Sequence, residues 1–266
     1  DYSPCFVFIT PLLMTKVLAI ETSCDETAVA ILERTEGGIA VLANIVSSQA
    51  SLHAAYGGVV PQLAAREHIK NITPVLTEAF AKANITKDEI DFIAVTQGPG
   101  LMPALLVGVN AAKTISLIWD KPLMGIQHLE GHIYANLLKT NTALKFPLIA
   151  LIVSGGHTEL VLMQDHFHYE ILGETQDDAS GEAFDKVAKI LGLPYPGGPE
   201  VATRADAFRQ RHSAEEITDL TQKLPRPMLT TDNFDFPFSG LKSAVLYAVQ
   251  KESDENKASP DFIPRM

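Results

Sequence analysis

A strand, a small polar turn and a returning strand occur twice in this chain, and each time helices follow. "KVLAIETSCDETAVAILE" (Lys16 to Glu33) is two apolar runs around a polar turn, the pattern of a β-hairpin. "GIAVLANIVSSQ" reads as a third strand. "VVPQLAAREHIKNITPVLTEAFAKANI" then changes period, with Leu63, His68, Ile72, Val75 and Leu76 recurring at threes and fours as on a helix. "IDFIAVTQGPG" is a buried strand ending in a Gly/Pro turn, followed by the helical "LLVGVNAAKTISLIW" and the short strand "PLMGIQH". The plan restarts at "FPLIALIVSGGHTELVLMQDHFHYEILGE", which reads as strand, Gly-Gly turn, strand, strand, with the helix "GEAFDKVAKILG" after it. A plan repeated without repeated sequence predicts an α/β chain of two similar lobes with a cleft between them, a usual place for a ligand.

The 266 residues, 46% hydrophobic and 20% charged, suffice for one large domain or two lobes with proper cores. The net charge of −11 does not suit broad binding to nucleic acid or anionic membranes; a nucleic-acid substrate would need a local basic patch or a partner. Arg66, Lys113, Lys186 and Lys242 are candidates for such a patch, though each alone reads as a solvated charge. Cys5 and Cys24 form no disulfide framework or zinc spacing, which favours a reducing compartment. No apolar run reads as long enough to span a bilayer. "DYSPCFVFITPLL" is apolar but lacks a basic n-region, and Met14 is the expected start of the folded chain.

The two turns are candidate anion sites. "ETSCDETA" places Thr22, Ser23, Asp25, Glu26 and Thr27 between two strands, where backbone N–H groups are exposed and an Asp can orient water or a metal-bound phosphate. The alternative is an ordinary polar hairpin turn. "SGGHTE" (Ser154 to Glu159) is its counterpart, with two glycines that allow close backbone approach. In "GEAFDKVAKILGLPYPGGPEV", Phe184, Val187, Ile190 and Leu191 read as a core stripe that leaves Asp185 beside it, before a Gly197–Gly198 turn stiffened by prolines.

"QHLEGHIYAN" carries His128 and His132, four apart and so on one helix face, able to ligate one ion together. The zinc-protease signature places its general-base Glu directly after the first His. Here Leu129 stands there, and Glu130 points about 200° away from His128 at roughly 100° per residue, so the protease reading fails on geometry. Two structural histidines remain the other reading of the spacing. A metal would need a further protein ligand from elsewhere.

Five segments in this order, "VLAIETSCDETAVAI", "KTISLIWDKPLMGIQHLEGHIYA", "LIVSGGHTELVL", "DDASGEAFDKVAKILGLPYPGGP" and "FPFSGLKSAV", closely resemble the catalytic subunit of the tRNA threonylcarbamoyladenosine synthases, once called O-sialoglycoprotein endopeptidase. The resemblance runs from Met14 to Val249 and is to the bacterial and organellar branch. It implies the ribonuclease H-like fold of the actin, Hsp70 and sugar-kinase ATPases. It implies transfer of a threonylcarbamoyl group from threonylcarbamoyl-AMP to N6 of adenosine 37, in tRNAs that read codons starting with A. It also implies His128 and His132 as ligands of one divalent metal, iron before zinc. Ile152, Val153, Ser154, Gly155, Gly156, Asp185 and Gly198 would bind the adenylate, and Asp25 and Glu26 are the acidic residues needed for activity. The implied partners are tRNA, a paralogous non-catalytic actin-like subunit and a small P-loop ATPase, with no membrane or DNA. The implied location is the cytoplasm, or a mitochondrion or plastid in a eukaryotic host.

The expected organisation is a non-family leader at 1–13, a first lobe at 14–146, a shortened second lobe at 147–250 and a divergent polar tail at 251–266. The family's C-terminal Asp, its third metal ligand, has no counterpart after Val249, and the chain is expected to be a shortened version of the enzyme. The competing readings are an ATP-dependent kinase or ATPase of the same fold, against which the histidine pair argues, and a non-catalytic paralogue.

Overall fold

The computed structural model describes residues 15–140, 144–220, 223–257, 259 and 262–265; the expected leader at 1–13 lies outside them. One unit is the chain through Gln49 with Val60–Ala143, and the other is Ala50–Val59 with Leu144–Met266. The difference from the expected division is the segment Ala50–Val59, which joins the second unit. The side chain of Lys189 lies over Gly57, where an added Cβ would come 3.6 Å from Nζ.

The first unit holds a five-stranded sheet in the order β3-β2-β1-β4-β5. Strands β1 (Thr15–Glu21), β2 (Glu26–Thr35) and β3 (Gly38–Ser48) form an antiparallel meander, while β4 (Phe92–Gly98) and β5 (Leu123–Gln127) add in parallel beside β1. Period-2 alternation places Leu18 and Ile20 of β1, and Thr27, Val29 and Ile31 of β2, on buried positions. Strand β4 is buried continuously from Ile93 to Thr96, as expected of a parallel strand with neighbours on both sides.

After β3 comes the short helix α1 (Ala50–Ala54), then α2 (Pro61–Ala83), which leads into β4. Pro61 at the helix start and Asn84, left-handed at its end, punctuate α2. Helix α3 (Met102–Trp119) makes the crossover from β4 to β5. Val75 and Ala79 of α2 and Ala112 of α3 close over the sheet residues Leu18, Val29, Ile31, Ile45, Ile93 and Val95. Each large aliphatic side chain buried here contributes about 1.5–3 kcal/mol.

The sequence reading of no membrane-length run is corrected by α3. By length and composition it is long and apolar enough to cross a bilayer. In this structure its small residues Ala104, Gly108 and Ala112 are buried against the rest of the unit.

From β5 the chain turns directly into α4 (His128–Tyr134), followed by α5 (Leu137–Thr140). The second unit has a three-stranded antiparallel sheet of β6 (Leu148–Val153), β7 (Thr158–Asp165) and β8 (His168–Glu174), in that order. It thus repeats the meander of the first unit. Among the described residues, β6 has no parallel neighbour of the kind β4 gives to β1.

Helices α6 (Ser180–Ile190), α7 (Gly197–Arg211), α8 (Ala214–Leu220) and α9 (Phe238–Lys251) follow, with α6 packed on both α7 and α9. Two readings are corrected here. Phe184 is 48% exposed, and α6 buries Ser180, Ala183 and Ala188 instead; at Ala188, α7 comes so close that a Cβ on Gly197 would lie 2.4 Å from the Ala188 methyl. Gly197 and Gly198 are the first residues of α7 rather than a free turn. The tail is not wholly polar surface either. It forms α10 (Asp254–Lys257) and α11 (Phe262–Arg265), and Phe262 is buried where α11 meets α7.

Candidate active site

The turn between β1 and β2 is tied down at every residue. The Thr22 hydroxyl donates to the Ala104 carbonyl (3.0 Å) and accepts from the Gly108 amide (3.1 Å). The Ser23 carbonyl accepts from Leu101 N at 2.7 Å, and an added Cβ on Gly100 would lie 2.6 Å from that same oxygen. The Cys24 carbonyl faces Nε2 of the buried His68 at 2.9 Å, and the Asp25 carbonyl accepts from Gln49 N at 2.9 Å. The backbone of the turn is therefore committed, and the Asp25 and Glu26 side chains are half-buried and exposed at its rim.

Helix α4 brings the two histidines together. The Gln127 side chain caps it by accepting from Glu130 N at 2.9 Å. The imidazoles are nearly perpendicular, at 81°, and their Nε2 atoms stand 3.0 Å apart. Nδ1 of His128 faces Oε2 of Glu21 at 3.2 Å and Oγ of Ser23 at 3.3 Å. Among the described residues it is Glu21, and not Asp25, Glu26 or Glu130, whose carboxylate meets a histidine of the pair. The histidines close on each other and on Glu21, and an added Cβ on Gly131 would meet nothing within 4 Å.

Glu21 is the residue that sequence reasoning passed over. It receives the Ser23 amide and, at 2.5 Å, the Thr96 hydroxyl. Burial opposes its ionisation, but hydrogen bonds from His128, Ser23 and Thr96 outweigh it and hold the carboxyl down at about 2. A carboxylate at this point takes the Nδ1 proton of His128 as a hydrogen bond and leaves Nε2 as a lone-pair donor. Burial, then the charge of His128, pushes the His132 imidazole below its usual range, which favours its neutral form. Two imidazole nitrogens converging in front of a carboxylate-bound ring is a donor set that fits a divalent transition metal. Among the described residues no third His, Cys, Asp or Glu is placed with them as a metal ligand. The signal for Glu21 was positional. It ends β1, Thr96 lies near the end of β4 and His128 directly follows β5, so all three sit at the carboxyl ends of adjacent parallel strands.

In the second unit the Ser154–Gly156 turn joins β6 to β7. Ile152 is buried, whereas Val153 is 59% exposed. The Ser154 amide donates to the His157 carbonyl at 2.9 Å, and Ser154 Oγ accepts from Gly156 N (3.3 Å) and His157 N (3.0 Å). Among the described residues the Gly155 amide of this turn makes no hydrogen bond, which leaves it open to an anion. Helix α6 starts against this turn. The Ser154 carbonyl accepts from Gly181 N at 3.1 Å, and an added Cβ on Gly181 would lie 2.8 Å from both Ser154 O and Gly155 Cα. Thr158 Oγ1 fixes the helix start by accepting from Ser180 N at 2.9 Å.

Asp185 accepts from the Gly197 amide at 2.7 Å, tying α6 to the first turn of α7 beside Gly198. A 320 Å³ cavity opens next to it, lined by Tyr56, Gly57, Asp185, Lys189 and Tyr195 among others. Asp177 and Asp178, just before α6, tie this part of the chain to α9. Asp177 accepts from Phe238 N (2.8 Å) and Ser239 N (3.0 Å) at the start of α9. Asp178 takes Lys186 of α6 at 2.5 Å and Lys242 of α9 at 3.0 Å. Two of the cations considered for a basic patch are thus already paired, while Arg66 and Lys113 are exposed.

The family model for the tRNA N6-adenosine threonylcarbamoyltransferases matches residues 40–260. A protein of that name from Bacillus cereus (strain ATCC 10987) is 54% identical over 235 residues, which cover 88% of this chain and 64% of that protein. One from Staphylococcus haemolyticus (strain JCSC1435) is 50% identical over 243 residues, covering 91% of this chain and 67% of its own. The chain thus spans a little under two thirds of the length of the Bacillus relatives. Among solved structures, YeaZ from Pseudomonas aeruginosa matches 59% of this chain and 64% of its own at 16% identity and a TM-score of 0.40. The Aquifex aeolicus PPX-GPPA enzyme matches 88% and 91% at 11% identity and a TM-score of 0.38.

Proposed function

The chain belongs to the tRNA N6-adenosine threonylcarbamoyltransferase family, and from that premise we propose that it transfers the threonylcarbamoyl group of threonylcarbamoyl-AMP to N6 of adenosine 37 in tRNAs that read codons starting with A. The observation that carries this reading is the His128–His132 pair, converging at 3.0 Å with Glu21 behind His128, beside the turn that bears Asp25.

His128 and His132 would hold one divalent ion through Nε2, iron before zinc. When bound, it would supply Lewis acidity to the threonylcarbamoyl part of the substrate. Glu21 keeps the His128 proton on Nδ1 and the ring in register. For the adenylate part, the Gly155 amide would be the donor for phosphate charge, with Ile152, Val153, Ser154, Gly156, Asp185 and Gly198 as its further binding residues. The exocyclic amine of the unstacked adenine attacks the carbamoyl carbon. The new C–N bond forms as the C–O bond to the phosphate breaks, AMP leaves, and the amine proton passes to a carboxylate. Asp25 or Glu26, at the rim of the turn, would take or orient that proton.

The proposed partners are tRNA, a paralogous actin-like subunit and a small P-loop ATPase, in the cytoplasm or in an organelle of a eukaryotic host. The acidic charge of −11 and the pairing of Lys186 and Lys242 with Asp178 support a need for partner-supplied cations in tRNA binding. The test is formation of threonylcarbamoyladenosine in a tRNA by the native protein, supplied with threonine, bicarbonate, ATP and the partner proteins. Absence of product with every component present would overturn the reading.

A further inference from the structure

We propose that His68 is a positioning residue for the turn that carries Asp25 and Glu26, acting through its hydrogen bond to the Cys24 carbonyl. The inference rests on the reaction proposed above. His68 stands on α2 with no exposed surface. A carbonyl only accepts, so the 2.9 Å contact from Nε2 to Cys24 O puts the ring proton on Nε2. Nδ1 then accepts from the Thr27 hydroxyl, itself fully buried, at 2.8 Å. The Thr27 hydroxyl can take either role and follows the tautomer that the Cys24 carbonyl fixes, while Gln49 Nε2, 3.5 Å from Nδ1, can only donate to it. A buried imidazole is costly unless its nitrogens are hydrogen-bonded, and here both are, to Cys24 O and Thr27 Oγ1, whereas an aliphatic residue would supply no donor to the turn. The polar ring commits its single proton to the main chain of the turn, between the two residues that face the reaction. On one side of Cys24, Ser23 reaches His128 Nδ1 at 3.3 Å; on the other stands Asp25. Releasing the Cys24 carbonyl therefore loosens the acidic rim and the support of the histidine pair together.

Three substitutions separate positioning from packing. In His68→Gln the amide nitrogen reaches the place of Nε2 and restores the donor to Cys24. In His68→Asn the amide reaches only the place of Nδ1 and loses it. His68→Leu keeps the bulk without any donor. The native protein and its variants are compared for tRNA modification, with kcat and KM separated, and for hydrogen exchange of the Cys24–Thr27 amides. We expect Asn and Leu to lower kcat by roughly tenfold or more with KM within about twofold, as for a misplaced reacting group. Exchange in the turn accelerates in those two, while Gln stays near the parent in both readouts. Gln falling as far as Asn and Leu, or all three retaining parental kcat and exchange, would overturn the proposal. A parent protein that forms no modified nucleoside defeats the reaction instead. The contrast between Gln and Asn in turn exchange then decides His68 by itself.

Discussion

Glu21, the last residue of β1, accepts from Nδ1 of His128, the first residue of α4, across 107 positions of sequence and 3.2 Å of space. Strand order makes the meeting possible. Strands β1, β4 and β5 lie side by side and parallel, so their carboxyl ends assemble an acid, a hydroxyl and an imidazole at one edge of the sheet.

Replacing Glu21 with Gln removes the charge that fixes His128 while leaving its shape. Metal affinity is expected to fall by about 10–100-fold, the usual effect of losing a carboxylate behind a ligating histidine. Titration with zinc or cobalt measures this, and an affinity equal to the parent's would remove Glu21 from the site.

Changing His128 and His132 together to Ala should abolish stoichiometric metal while leaving the metal-free fold intact, because α4 keeps its Gln127 cap and its buried Leu129 and Ile133. Elemental analysis beside far-ultraviolet circular dichroism checks both halves. Metal retained at parental stoichiometry would place the ion elsewhere.

The Asp178 link should make stability depend on acid. Burial opposes ionisation of Asp178, but hydrogen bonds from Lys186 and Lys242 hold its carboxyl below the ordinary range. Its folded value lies below its unfolded one, so its contribution is present above about pH 4 and is lost as the pH falls through the folded value. Urea midpoints of the parent and of Asp178→Asn should differ at pH 7, and the gap should narrow as the pH falls below about 4. A gap unchanged across that range would show the link to be electrostatically silent.

Gly181→Ala forces a methyl to within 2.8 Å of the Ser154 carbonyl and Gly155 Cα, so α6 must withdraw from the turn. Overpacking of this kind costs about 1–3 kcal/mol. Calorimetric titration with AMP should show weakened binding, while zinc binding at the histidine pair is unchanged. Equal AMP affinity in the variant would exclude the Ser154–Gly156 turn from the adenylate site.

Much of this architecture is legible in the residues. The alternation of Leu18 and Ile20 against Val29 and Ile31 writes the first hairpin into the chain, and "LIALIVSGGHTELVL" writes the second. The four-residue spacing of His128 and His132 is enough to set both rings on one helix face. Other features were not legible. Phe184 has the spacing of a core residue, yet α7 crosses α6 over Ala188 and leaves the ring outside. Asp185 stands apart from any local pattern because its partner is an amide at the start of the next helix. Likewise, nothing near Asp177 and Asp178 announces that they bind α9, whose first turn lies 61 positions away.

What the sequence by itself determined is periodicity and motif: the two strand-and-turn openings, the histidine spacing, the glycines of the turns and the family they resemble. These are local quantities, set by alternation along a strand or by the rise and rotation of a helix. Only the tertiary structure decided which groups meet. Glu21 became the partner of His128, His68 took hold of the Cys24 carbonyl, and Lys186 and Lys242 were drawn onto Asp178 rather than left to solvent. Such contacts depend on strand order and helix packing, which bring together groups that no local repeat relates. The meeting of Glu21, Thr96 and His128 therefore comes from the alignment of three strand ends, a property of the sheet and not of any one segment.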